Sequence, residues 1–212
     1  MSRLLPLFPL QLVAFPGSVI PLHIFEDRYK EMVGEAEATG TEFGIVLSKD
    51  GGIVNAGCTV VVEAVPERFP DGRFNVVTRG KRRFALLSLD EEKEYLRGEV
   101  EYFDDEDWVP ASEALRNEAL AAYWRIRRAL AGTGDDPGVS EPDAGHPQLS
   151  FQLAPIVDDL DFQNMMLRSR SESARLQQFI EIVEPYLERR QYKAKMQRVA
   201  PLNGSGHKPA SL

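Results

Sequence analysis

Few side chains in this sequence are of the types that do covalent chemistry, and fewer still are spaced to act together. Cys58 is the only thiol, and the imidazoles are His23, His146 and His207. A nucleophile needs a base within hydrogen-bond reach and usually a third group to orient that base. Cys58 falls at the start of a strand pattern. His146 lies in a Gly- and Pro-rich stretch and His207 in a Gly/Ser-rich tail, so only a Cys58–His23 pair remains, and a buried structural thiol is the preferred reading. His23 and Glu26 stand three residues apart, which suits two metal ligands only on a helix, and here the chain is crossing from strand to helix. With no further His or Cys cluster, a hydrogen-bonded structural histidine is expected instead. Gly204-Ser205-Gly206 is not the Gly-x-Ser-x-Gly elbow between strand and helix. Gly80-Lys81 has Asn75 five residues before it, so no phosphate-cradling loop exists there. The sequence therefore predicts no catalytic residue, no metal and no cofactor.

Binding chemistry is better represented. Arg79, Lys81, Arg82 and Arg83 put four cations into five residues beside Phe84, the alternative case for RNA. Strand alternation should split them between two faces, and ten acids against Lys93 and Arg97 follow between Asp90 and Asp107. The whole chain of 212 residues carries a net charge of -8, which repels nucleic acid and anionic membrane overall. Polypeptide recognition needs accessible apolar surface. Phe69, at the tip of the reversal Pro70-Asp71-Gly72, is a candidate contact, as are Met165 and Met166, whose flexible thioethers suit a deformable surface unless they simply pack in a helix. A lone cysteine points to a reducing, cytoplasmic setting.

The elements that must position these residues follow from periodicity. Residues 4–25 contain no Asp, Glu, Lys or Arg. Pro6, Pro9, Pro16 and Pro21 forbid a continuous helix there, so neither a membrane anchor nor a signal peptide is expected. Short strands over 4–7 and 19–24, joined by a turn at Phe15-Pro16-Gly17-Ser18, fit instead, with the prolines at sheet edges or strand ends. Phe25, Tyr29, Met32, Val33 and Ala36 keep helical spacing up to Gly40. Strand patterns follow over 43–47, 59–65, 73–78, 83–87 and 96–103. From Ser112, Leu115, Ala119, Ala122, Ile126, Ala129 and Leu130 mark a helix stopping at Gly132, and 132–148 reads as a mobile surface loop. Helical signals resume over 149–157 and 162–167. The last helix has Ser169 and Glu172 at capping-box spacing, a stripe of Leu176, Phe179, Ile180, Val183 and Leu187, and an expected kink at Pro185.

Several of these residues together resemble a known family. Leu5-Pro6-Leu7-Phe8-Pro9-Leu10, Phe15-Pro16-Gly17-Ser18-Val19-Ile20-Pro21-Leu22-His23-Ile24-Phe25-Glu26 and Arg28-Tyr29 are similar to the opening of the Lon protease N-terminal domain. Phe43-Gly44-Ile45-Val46-Leu47, Gly57-Cys58-Thr59, Asp71-Gly72-Arg73 and Gly80-Lys81-Arg82-Arg83-Phe84 fall in the family's order, as do Gln163, Met166, Leu167, Arg175 and Leu176. The resemblance covers about residues 3–188. The Gly-, Ser- and Pro-rich composition at the end reads as a disordered tail (199–212); the resemblance implies an α+β fold, with a PUA-like antiparallel β-barrel subdomain (1–107) and a C-terminal helical bundle (108–198). It also implies a free-standing, non-catalytic, polypeptide-binding module, an adaptor or accessory in protein turnover that meets unfolded or partly folded polypeptide. A protease or chaperone partner and a homo-oligomer are further expectations, and an RNA-binding PUA-like module is the alternative. Deleting 201–212 should leave the melting temperature nearly unchanged, because that segment has no periodic apolar face to bury. A calorimetric drop of more than about 5 °C would mean that it packs.

Overall fold

The computed structural model describes residues 4–107, 109–131 and 141–199. The expected stop at Gly132, the first part of the expected loop and residues 200–212 of the expected tail lie outside them. Among the described residues six strands are formed: β1 (Leu5–Leu10), β2 (Val19–Ile24), β3 (Phe43–Lys49), β4 (Gly52–Arg68), β5 (Phe74–Asp90) and β6 (Arg97–Phe103). Five helices accompany them: α1 (Asp27–Thr39), α2 (Glu113–Ala131), α3 (Leu149–Leu153), α4 (Leu160–Arg168) and α5 (Glu172–Val199), with a 3-10 turn at Ala154–Ile156. The fold is thus mixed α+β, as expected. Among the described residues no helix is long and apolar enough to cross a membrane.

The pairing order is β2-β5-β4-β3-β1-β6, and β6 also pairs with β5, which closes a ring of β1, β3, β4, β5 and β6. All pairs are antiparallel except β1 with β3. Two expectations need correction. The patterns over 73–78 and 83–87 are halves of one strand: β5 pairs through Thr78 and Arg79 with β2 and through Arg83 with β6, so it changes partner without ending. Nor is β1 an edge strand along its whole length, despite Pro6 and Pro9. Leu5 and Pro6 pair with β6, and Leu7 to Leu10 with β3, so each proline sits where only one flank is paired. β2 pairs only with β5 and carries Pro21 as an edge strand should.

Strand faces bury into two clusters, which is why Phe43 to Leu47 reads as an unbroken apolar run. Phe43 and Ile45 join the large core shared with the helices, while Val46 joins Leu5, Leu7 and Phe84. Phe84 fills space that side chains at two glycines would take: a Cβ on Gly44 or Gly57 would come within 2.7 Å or 2.5 Å of its ring. At the Phe15–Ser18 turn, Ser18 Oγ donates to the Phe15 carbonyl at 2.6 Å, and Gly17 adopts a φ of 78°.

The helical part is a mixed set rather than a bundle, since α3 and α4 have only 5 and 9 residues. Along α2, Ala119, Ala122, Tyr123, Ile126 and Leu130 are buried, with Tyr123 taking the place expected of Ala129. The long α5 continues through Pro185. Its capping residue is Ser171, whose Oγ accepts from Ala174 N–H at 3.0 Å, not Ser169. Glu172 turns inward instead and accepts from both the backbone N–H (2.9 Å) and Oγ (2.6 Å) of Ser150. The described part of the expected mobile loop is held in place: Arg116 donates to the carbonyls of Ala144 and His146.

Sheet and helices are joined by a buried ionic cluster. Arg83 on β5 and Arg175 on α5 are 2% and 0% exposed. Arg175 grips Asp105 through two bonds of 2.6 Å, and Arg83 Nη2 reaches the same carboxylate at 2.6 Å. The remaining donors go to the carbonyls of Leu167 and Ser169, to Glu172 and to Ser150. The Phe151 ring lies 5.2 Å and 4.2 Å from the two guanidinium carbons. Burial alone would raise the Asp105 carboxyl, but the hydrogen bonds and charges of Arg175 and Arg83 outweigh it and hold it below its ordinary value of 3.8. A depressed folded value means that this contribution is present above the unfolded value and is lost as pH falls through the folded one. Asp105→Asn should therefore cost about 3–5 kcal/mol in neutral urea titrations, because two buried cations lose their shared counter-charge. It should also flatten the acid loss of stability below the ordinary carboxylate range. A loss under about 1 kcal/mol would contradict this role.

Candidate functional site

The uncharged opening segment builds a groove. Its floor and walls come from Phe8 and Leu10 of β1, Leu22 and Ile24 of β2, Tyr29 of α1 and Leu96 just before β6. The space measures about 500 Å³, within the range of ligand-binding clefts. Pro9 and Pro21 also line it, and His23, Glu26, Arg28 and Ser48 add polar groups to the lining. Phe8 stacks on Tyr29 with ring centroids 4.1 Å apart, which fixes the floor. A second concavity of similar volume, between α1 and β4, is lined by Glu37, Glu63 and Arg68 with Val62, Ala64 and Val65. Arg68 spans it to Glu37 with two bonds of 2.6 Å, so it is a charged recess with its polar groups already satisfied.

At the rim of the apolar groove stands Phe25, 58% exposed in the short link between β2 and α1. It was expected within the buried stripe of α1, but the helix starts at Asp27 and leaves the ring outside. His23 lies between two aromatic rings, with Phe25 stacked at 6.0 Å and Phe69 edge-on at 5.9 Å. Its Nδ1 is 2.7 Å from Asn75 Oδ1, and Asn75 Nδ2 donates to Glu67. Phe69 is half-buried at the β4–β5 tip, where its N–H donates to the Arg73 carbonyl at 2.8 Å. Through His23 the structure thus brings Phe69 to the groove.

The two methionines differ in exposure. Met166 is fully buried in the core, because its position on α4 faces inward with Phe162 and Leu167, so it packs and presents no surface. Met165 is exposed on α4, which the Lys49–Asp161 ion pair ties to the β3–β4 reversal, next to the groove residue Ser48. The four cations are dispersed. Arg83 is in the ionic cluster, Arg79 pairs with Glu63, and Arg82 pairs with Glu42 and lies 3.9 Å over the Tyr102 ring. Lys81 is exposed.

Covalent chemistry finds no assembled centre among the described residues. Cys58 is fully buried, and burial pushes its thiol up to about 12, far from a thiolate at neutral pH. It pairs across from Arg83 on β5, eight residues along that strand from Asn75, the partner of His23. Glu26 is occupied by Arg28 at 2.6 Å, and no group of His, Cys, Asp or Glu able to hold a metal occurs among the described residues.

The model of the ATP-dependent protease La (LON) substrate-binding domain family matches residues 4–189. Lon protease of Parabacteroides distasonis is 30% identical over 110 residues, which is 48% of this chain and 13% of that protein. Lon protease 1 of Hydrogenovibrio crunogenus is 26% identical over 122 residues, 54% of this chain and 14% of that protein. The chain therefore matches only a small part of these relatives' length. Among solved structures, a Lon N-terminal domain protein from Xanthomonas campestris superposes with a TM-score of 0.63 at 25% identity, covering 84% of this chain and 98% of that one. The N-terminal domain of a Mycobacterium avium complex Lon protease gives the same TM-score at 17% identity, covering 86% and 98%, and shares the fold.

Floor and rim should separate in a stability measurement. Phe8→Ala removes a buried, stacked ring and should cost about 3–5 kcal/mol. Phe25→Ala should stay within about 0.5 kcal/mol of the parent in the same urea titration, as exposed positions do. A large loss at Phe25 would mean that it is part of the core.

Proposed function

We propose a function on one premise: the chain belongs to the family of Lon substrate-binding domains. It binds unfolded or partly folded polypeptide through the groove between β1 and β2, with no catalysis of its own, as an adaptor or accessory in protein turnover. The observation that carries this reading is an open groove with an apolar floor, the exposed Phe25 at its rim and Phe69 beside His23. An aromatic rim over an apolar floor accepts many sequences, since burial is non-directional and sets no hydrogen-bond pattern. The sheet ring is read as the PUA-like barrel, with 1–107 as the binding subdomain and 108–198 as the helical buttress. Docking to a protease or chaperone, homo-oligomer formation and a cytoplasmic setting belong to the same reading. Met165, exposed on α4, stays a candidate contact.

The test is titration of a fluorescent, reduced and alkylated client protein, followed by anisotropy. Phe25→Ala and Phe69→Ala should each weaken binding by about fivefold, equivalent to about 1 kcal/mol, without a matching loss of stability. Raising the salt from about 50 to 300 mM should change the affinity of the parent by less than about threefold, because apolar contact is not screened. Affinity untouched by both substitutions would discard this site. A steep salt dependence abolished by replacing Arg79, Lys81 and Arg82 would discard the function.

A further inference from the structure

The charged groups around the groove are unevenly matched. At the α1 end, Arg28 donates to Glu26 and Lys30 to Asp27. The link between β5 and β6, which delivers Leu96 to the groove, carries Glu91, Glu92, Lys93 and Glu94. Lys93 is held by Glu31 Oε1 at 3.0 Å and by Tyr95 Oη at 2.8 Å. Arg97 is taken by Asp90 and Glu92. At the Ser48 end, Lys49 is bound to Asp161, with Asp50 and Asp159 also acting on it. At the Phe69 end, Arg73 is closed onto Asp71, and Asn75 ties His23 to Glu67.

Every cation on this rim is therefore held by a carboxylate, and carboxylates are left over. Glu91 and Glu94 are exposed and have no cation within ion-pair distance among the described residues, and the charge of Glu94 is felt at Arg28, itself a groove residue. Resting on the polypeptide-binding reading above, we propose that this groove selects its occupant by charge: an extended polypeptide segment with an aromatic or aliphatic anchor flanked by Lys or Arg. The anchor enters between Phe8, Leu22 and Tyr29. The flanking cations lie over the rim and find Glu94 and, farther along the same link, Glu91, neither of which is in an ion pair among the described residues. Segments flanked by Asp or Glu meet a net-negative rim and are disfavoured. Exposed pairs of this kind are individually weak, so the effect is a preference laid over apolar affinity.

Three synthetic peptides with one common Leu-Phe-Val centre, flanked on both sides by Lys, Ser or Glu, test this against the full chain at about 50 mM salt. The Lys-flanked peptide should bind about three- to tenfold more tightly than the Ser-flanked one, and the Glu-flanked peptide should bind more weakly than either. The differences should shrink toward equality at about 0.5 M salt. In the double variant Glu91→Gln/Glu94→Gln, the ratio of Lys- to Ser-flanked affinity should fall below about twofold. Equal affinities for all three peptides would overturn charge selection while leaving the groove as a binding site. An undiminished Lys preference in the double variant would overturn the assignment to these carboxylates. No binding of any peptide would remove the groove reading, and this inference with it.

Discussion

Two guanidinium groups drawn out of water around a single carboxylate set the frame of this molecule. Moving a charge into a protein interior costs several kcal/mol unless its donors are met, and a half-satisfied cluster is worse than an apolar core. Here the charges of Arg83, Arg175, Asp105 and Glu172 sum to zero, and the donors are spread over three side chains and two carbonyls. The geometry is restrictive because its members come from β5, the segment after β6, α3, the end of α4 and the start of α5. Apolar packing would tolerate small shifts among those elements. Bidentate contact between Arg175 and Asp105 tolerates few.

The groove lies where the sheet is least paired and therefore open. β2 has only one neighbour, and β1 is unpaired on one flank beyond Leu7, so the two edges frame a cleft rather than closing on each other. Prolines at 9 and 21 blunt both edges against unwanted strand addition while leaving apolar side chains accessible. The aromatic groups at 23, 25 and 69 come from the end of β2 with its link to α1 and from the β4–β5 reversal, far apart in the chain, and the β2–β5 register places them together.

How much of this was legible in the sequence depends on what each residue answers to. Local rules sufficed for the Phe15–Ser18 turn, the stripe of α1 ending at Gly40 and the helix of Ala119, Ala122 and Ile126. The family motifs quoted for Gly44, Gly57 and Gly80 were legible as motifs, but their cause lies in contacts distant in sequence: Phe84 occupies the space beside the first two, and the Phe15 carbonyl lies against the third. Arg83 could not be told from its neighbours Arg79, Lys81 and Arg82, since alternation says which face a residue takes and not what waits there. Ser169 and Glu172 had capping-box spacing, yet Ser171 won the cap because Glu172 had stronger partners in Ser150 and Arg175. The groove had one available signal, a charge-free and proline-rich opening of 22 residues, which is too long for the strands it forms to bury completely.

The central claim is that a preformed groove at this open end meets unfolded polypeptide while the ionic frame stays fixed. Hydrogen–deuterium exchange of the full chain with and without a reduced, unfolded client tests it most directly. The account predicts slowed exchange confined to residues 8–10, 22–29 and the 69–73 reversal, with no change around Arg83, Asp105 and Arg175. Protection centred on 79–83 or on the outer face of α2, with the groove segments unchanged, would contradict it.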